Sequence, residues 1–168
     1  MAKRLMQRSV NNRYYYLLGA LVVAGMFATA LYLQYVMRED PCPLCMVQRV
    51  IFIAIGGLFL LAALHNPARI GSKVYSVLIS LFALGGIATA SRHIWLQHLP
   101  KDQVPACGPG IDYMLKHFPM AEVWQEVLHG SGECATKGWA ILGLGLPELS
   151  LIGYGVLGAW ALFIAARR

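Results

Sequence analysis

Long apolar runs separated by polar connections dominate the chain. They cover Tyr14 to Val36, Met46 to Leu64, Val74 to Ala90 and about Leu149 to Ala166, each 17 to 23 residues long and none containing an acid. A helix of that length crosses roughly 30 Å of hydrocarbon. The pattern predicts an all-α fold: a polytopic membrane four-helix bundle forming a single domain over residues 1–168. Glycines inside the runs (Gly56 and Gly57, Gly85 and Gly86, Gly153, Gly155 and Gly158) fit close helix contacts in lipid. The Gly-x-Gly pieces among them are not phosphate loops, because no strand precedes them and no P-loop lysine follows.

Composition supports the same class. Hydrophobic residues make up 58% and charged residues 13%, against about 45–50% and about 25% in soluble domains. The net charge of +6 does not indicate nucleic acid, because the basic residues sit in short groups between apolar runs. Lys3, Arg4, Arg8, Arg13, Arg69, Lys73, Arg167 and Arg168 fall on one side of a four-span arrangement, with no acid among them. All eight acids fall on the other side, with six basic residues. The positive-inside rule then expects both termini in the cytoplasm, and an even number of spans permits it. Ala28-Thr29-Ala30 resembles a signal-peptide cleavage site, but the apolar stretch runs on to Val36, so cleavage is not expected.

Two segments remain on the outer face, about 37–45 and 91–146, and they hold all four cysteines: Cys42 and Cys45 in the first, Cys107 and Cys134 in the second. In bacteria that compartment is oxidising, so two exchangeable disulfides are expected. In the long segment, Pro100, Pro105, Gly108, Pro109 and Gly110 break any helix near Cys107. From Ile111 to Leu128, Met114, Leu115, Phe118, Val123, Trp124, Val127 and Leu128 recur at helical spacing, with Pro119 splitting the stretch in two. Such a short amphipathic helix can lie in the membrane interface or pack on its own loop. Gly130, Ser131 and Gly132 give a flexible approach to Cys134, and the segment around Cys107 is expected to be mobile.

Pro41-Cys42-Pro43-Leu44-Cys45, followed by Met46-Val47-Gln48-Arg49, is the sharpest motif. A c-type haem site would need His after Cys45, and a zinc site a second close pair, whereas Cys107 and Cys134 are 27 positions apart. Thiol exchange remains. Cys45 near a helix N-terminus would gain thiolate character. Arg49, four residues on, would add a positive charge on the same helix face; its plain alternative is an arginine snorkelling to headgroups. Arg92 and His93 close the third span on the same face. His93 reads either as an interfacial residue or as a hydrogen-bond donor or proton carrier near a quinone carbonyl. Trp95, Trp124 and Trp139 read as interfacial anchors. His65, His98, His117 and His129 show no metal-ligand spacing and read as surface residues.

This constellation resembles the bacterial disulfide bond formation protein B (DsbB) family from about Tyr14 to Ala166. Further matching stretches are Arg92-His93, Ser131-Gly132-Glu133-Cys134 and Leu142-Gly143-Leu144; Gln48 is a departure, because some members carry Glu there, and it bears on the electrostatics around Arg49. The resemblance implies an inner-membrane thiol:quinone oxidoreductase with periplasmic cysteine loops. Its partner would be a periplasmic DsbA-like thioredoxin-fold protein, with membrane lipid and no nucleic acid. Cys107 would be attacked by the reduced partner, with Cys134 as its redox mate. Cys42 and Cys45 would reoxidise that pair, and Cys45 would donate to a bound quinone, ubiquinone or menaquinone. Arg49 and His93 would help bind the quinone. A vitamin K epoxide reductase-like enzyme would carry its Cys-x-x-Cys late in the chain. A membrane scaffold with structural disulfides, or a metal-binding membrane protein, would use the same cysteines without exchange.

Overall fold

The computed structural model describes residues 2–100, 102–108, 111–136, 138–141 and 143–167, and the side chains of these except 2–12, 111, 112 and 141. Pro109, Gly110, Leu142 and Arg168 lie outside the described residues, as do the side chains of Lys3, Arg4, Arg8 and Ile111. Four long helices form the bundle: α1 (Ala2–Tyr35), α2 (Pro43–His65), α3 (Arg69–Gln97) and, after three short helices and a small ladder, α7 (Leu146–Ala166). All four are long and apolar enough to cross a membrane, α1 through its Arg13–Tyr35 portion. The chain is a multi-pass membrane protein. In hydrocarbon every backbone N–H and C=O must be satisfied within the segment, which a helix does. The helices outrun the apolar stretches, and α3 carries Arg92, His93 and Gln97 on its last turns.

Local chemistry sets the helix ends. Cys42 is the N-cap of α2 and Pro43 fills its first turn, where a missing N–H costs nothing. At the other end Asn66 adopts a left-handed conformation (φ 41°), its N–H bonding Ala62 O at 2.9 Å. Gly145 caps α7, with Pro147 in the first turn.

Around the bundle α1 packs on α2, α2 on α3, and α3 most extensively on α7, while α1 and α7 touch only sparsely. A seam therefore opens between the first and last helices. Lipid tails are as apolar as leucine, so the bundle depends on close packing and interhelical hydrogen bonds. Tyr16 Oη and Ser72 Oγ lie 2.7 Å apart, joining α1 to α3. Tyr154 Oη donates to Gln48 O at 2.8 Å, and Trp160 Nε1 to Tyr15 O at 3.1 Å. The Tyr154 ring also stacks on Phe52, centroids 4.2 Å apart.

Only part of the glycine pattern serves this packing. A Cβ on Gly86 would sit 2.5 Å from the Tyr154 ring, one on Gly56 2.9 Å from Val23, and one on Gly153 2.3 Å from Met26. Gly158 approaches Ala83. Gly57, Gly85 and Gly155 meet nothing within 4 Å. Neighbouring residues point about 100° apart on a helix, so one glycine of each adjacent pair faces a partner helix and the other does not.

Between α3 and α7 lie α4 (Ile111–His117), α5 (Met120–His129), α6 (Gly132–Ala135) and a two-residue antiparallel ladder, β1 (Ala140–Ile141) with β2 (Leu144–Gly145). The ladder is the one departure from all-α structure among the described residues. Pro119 separates α4 from α5 as the N-cap of α5. Met114, Val123 and Val127 are buried together against Val47 of α2, while Leu115, Phe118, Trp124 and Leu128 remain exposed. The amphipathic pair thus packs on the bundle with one side and presents large apolar side chains on the other.

Gly86→Ala should destabilise the α3–α7 contact by about 1–3 kcal/mol, the usual cost of overpacking. Gly85→Ala should leave stability equal or slightly higher. Thermal unfolding of the two variants in detergent checks this; equal losses would place the wrong glycine at the interface.

Candidate functional site

The four helix ends nearest the cysteines bring the two loops together. In α2 the Cys-x-x-Cys spacing places Cys42 at the N-cap and Cys45 at the third helical position. An N-cap side chain ordinarily accepts a hydrogen bond there through oxygen. Here sulfur takes that role: Cys45 N donates to Cys42 Sγ at 3.4 Å. The same geometry brings the sulfurs within 3.0 Å, Cys42 Sγ donating to Cys45 Sγ. All four cysteines are free thiols.

His93 of α3 meets this pair from across the bundle. It is 3% exposed, and its Nε2 lies 3.7 Å from Cys42 Sγ. It is thus a buried neighbour of the thiols. Its Nδ1 lies 3.4 Å from Gln48 Nε2, and Gln97 Nε2 lies 3.5 Å from its Nε2. Gln48 therefore bears on His93, where the sequence pointed to the surroundings of Arg49. Arg92, next in sequence, turns away to donate to His129 O at 2.9 Å and to cover the Trp95 ring.

Cys134 reaches the cluster from the second loop. It is fully buried with Cys42, Leu44 and Leu96. Its thiol pKa is lowered to about 6, chiefly by the hydrogen bond from Cys42, with the Leu44 N–H and the nearby His93 assisting against burial. Cys42 is pushed far above the usual thiol range, because it donates to Cys134 and to Cys45 and is itself buried. The proton thus stays on Cys42, and Cys134 is the stronger acid.

Cys107 is exposed. The Gly130-Ser131-Gly132 segment that links its neighbourhood to Cys134 is buried and tightly fitted, not a flexible approach. Gly130 holds φ 85°, and any Cβ there would strike Leu96. Gly132 N donates to Ala106 O at 3.2 Å, and a Cβ on Gly132 would lie 2.6 Å from Pro105 O and 3.3 Å from Cys107 Sγ. Glycine is required because the segment at Pro105–Cys107 passes directly over the turn leading to Cys134.

A cavity of about 580 Å³ opens beside the thiols along the α1–α7 seam. Its floor is apolar, with Val22, Met26, Leu33, Phe52, Ile152 and Val156, and its polar end carries Cys42, Cys45, Gln48, Arg49 and His93. Arg49 is half-buried. Its guanidinium is held by α1, donating to Gln34 Oε1 and, at 3.3 Å, to Ala30 O. Trp139 lines the same cavity, whereas Trp95 and Trp124 are half-exposed. His65, His98, His117 and His129 are exposed.

Sequence reasoning did not find Gln97 or the α1 and α7 walls, and it gave Trp139 only as an interfacial anchor. Gln97 had a weak signal, as a polar residue four positions after His93. Nor did spacing show that Cys42, Cys45 and His93 bring three potential ligand atoms within 4.8 Å of one another.

The family model described as disulfide bond formation protein DsbB matches residues 12–164. The chain is similar to disulfide bond formation protein B of Hahella chejuensis, 50% identical over 153 residues that cover 90% of this chain and 93% of that protein. It is similarly related to the protein of that name from Nitrosococcus oceani, 49% identical over 88% and 89% of the two chains. Disulfide bond formation protein B 1 of Pseudomonas aeruginosa is 46% identical over 84% and 87%.

In the reduced chain, one thiolate should titrate near pH 6. Most Cys134 thiols should be ionised at pH 7, and protonation should follow as pH falls through about 6. Absorbance at 240 nm across pH, compared between the parent and Cys134→Ser, measures it. A difference curve centred near an ordinary thiol pKa would contradict the assignment.

Proposed function

The chain belongs to the disulfide bond formation protein DsbB family, and from that membership we propose that it is an inner-membrane thiol:quinone oxidoreductase that reoxidises a periplasmic DsbA-like dithiol protein. The cysteine loops then face the periplasm and both termini the cytoplasm, as the charge distribution expects. One observation carries the proposal: Cys42 and Cys45 meet His93 at the polar end of an apolar cavity that opens on a helix seam, and Cys134 of the second loop packs against Cys42.

The exposed Cys107 receives the partner. The partner's thiolate attacks Cys107 Sγ in a Cys107–Cys134 disulfide, forming a mixed disulfide and releasing Cys134 as thiolate. A low leaving-group pKa speeds such a step, which the position of Cys134 against Cys42 and the Leu44 N–H supports. Cys134 then attacks Cys42 in a Cys42–Cys45 disulfide and releases Cys45. The partner's second thiolate resolves its own disulfide and frees Cys107. Attack of Cys107 on Cys134 restores the loop disulfide and leaves Cys42 and Cys45 reduced. His93 Nε2, 3.7 Å from Cys42 Sγ, would hold the proton that this exchange moves.

The two electrons must then leave the protein, and a quinone supplies that sink by accepting two electrons and two protons. The residues present fit one. The cavity falls in the range of small-molecule sites and is largely apolar with a few convergent polar groups. Arg49, anchored on α1, and His93, flanked by Gln48 and Gln97, would hold the polar ring, with Cys45 at the same end. The sparse α1–α7 contact leaves a route from the lipid. A scaffold with structural disulfides would have no need to gather both loops' sulfurs beside such a cavity.

Purified chain in detergent, given a reduced thioredoxin-fold partner and ubiquinone or menaquinone, should consume quinone absorbance catalytically. Ser at any one cysteine should stop turnover. If Cys107→Ser oxidised the partner at the parental rate, the relay order would be wrong. Arg49→Gln should raise the quinone KM roughly 10–100-fold, equivalent to losing a charged hydrogen bond of about 1.5–3 kcal/mol. Mixed-disulfide formation at Cys107 should persist in that variant, and an unchanged KM would remove Arg49 from the quinone site.

A further inference from the structure

We propose that the reduced cluster of Cys42, Cys45, Cys134 and His93 is a redox-gated binding site for a thiophilic divalent cation, Zn2+ above all. Cys42 Sγ, Cys45 Sγ and a His93 ring nitrogen already lie within 4.8 Å of one another. Tetrahedral zinc with sulfur and nitrogen ligands separates its donors by about 3.4–3.8 Å, as bond lengths of about 2.3 and 2.0 Å require. The His93 Nε2 to Cys42 Sγ distance of 3.7 Å fits that edge as it stands. The 3.0 Å between the two sulfurs of α2 must widen by less than about 1 Å, which rotation of the partly exposed Cys45 side chain can supply. Cys134, packed against Cys42 but outside that group of three, would turn toward it to give a fourth donor from the other loop. Two cysteines separated by two residues are a usual half of a zinc site.

The surroundings suit a cation as well. Cys42, Cys134 and His93 are buried, which limits competition from water. Gln48 lies against His93 Nδ1. Its amide nitrogen faces that nitrogen; a flip of the amide would present the oxygen instead and leave Nε2 free to ligate, the outer-shell arrangement common in zinc sites. Each thiol that ligates gives up its proton to solvent. Oxidation of Cys42 and Cys45 to a disulfide removes two ligands at once, so the cation binds only the reduced state. Resting on the relay proposed above, a bound cation would hold the reduced enzyme silent until it is removed.

Co2+ alone, added to the full-length chain in detergent after phosphine reduction, tests the site without partner or quinone. The expected result is one Co2+ per chain. Intense near-ultraviolet sulfur-to-cobalt absorption and the visible bands of tetrahedral Co2+ should appear, and one equivalent of Zn2+ should abolish both. Cys107→Ser should keep the spectrum. His93→Ala should weaken binding at least about 10–100-fold, the loss that even an outer-shell partner causes. The parent chain with Cys42 and Cys45 oxidised should show no band. Absence of the bands in the reduced parent would overturn the proposal. So would bands that survive oxidation, or unchanged affinity in His93→Ala. Failure of quinone reduction is read separately, because the optical signal does not depend on it.

Discussion

The site depends on the way α2 begins. A helix leaves its first N–H groups without backbone partners, and here a cysteine sulfur accepts one of them. Cys42 caps α2 through Cys45 N, and that single constraint sets the two sulfurs side by side at a buried helix end. Pro43 fixes the backbone between them without wasting an N–H. Helix packing then completes the arrangement, because α3 delivers His93 to the same point and the second loop delivers Cys134.

Two kinds of packing hold this end together. Within the bundle, glycines and tyrosines matter most: Gly86 admits the Tyr154 ring, whose hydroxyl reaches the Gln48 carbonyl and so links α7 to the turn of α2 that faces His93. In the second loop, Gly130 and Gly132 permit backbone approaches that no other residue would allow. The sparse contact between α1 and α7 leaves space, and Arg49 bridges part of it by binding α1. A thiol cluster thus stands beside an accessible apolar cavity, the combination that the proposed passage of electrons from soluble thiols to a lipid-borne acceptor needs.

Much of this was legible in the residue pattern. Four apolar runs without acids specify four helices because lipid permits little else, and the Cys-x-x-Cys spacing at a helix start specifies adjacent sulfurs by geometry alone. What the pattern could not carry was long-range. The 51-position separation of Cys42 and His93 says nothing of their contact. The apparent flexibility of Gly130-Ser131-Gly132 reversed its meaning, since small residues serve close approach as readily as mobility. The paired glycines in the helices overstated the interface for a related reason, as only one of two adjacent positions can face a neighbour. Arg49 reads in the sequence as a charge beside Cys45, whereas its hydrogen bonds run to α1. The cavity was invisible because its walls come from helices far apart in sequence.

Exchange between the loops is the central claim, and a trapping measurement addresses it most directly. In a Cys45→Ser, Cys107→Ser chain, mild oxidation should join Cys42 to Cys134 rapidly and completely, as peptide mass spectrometry of the protease digest would reveal. Two sulfurs that stay unjoined under conditions that oxidise the parent chain would contradict the account.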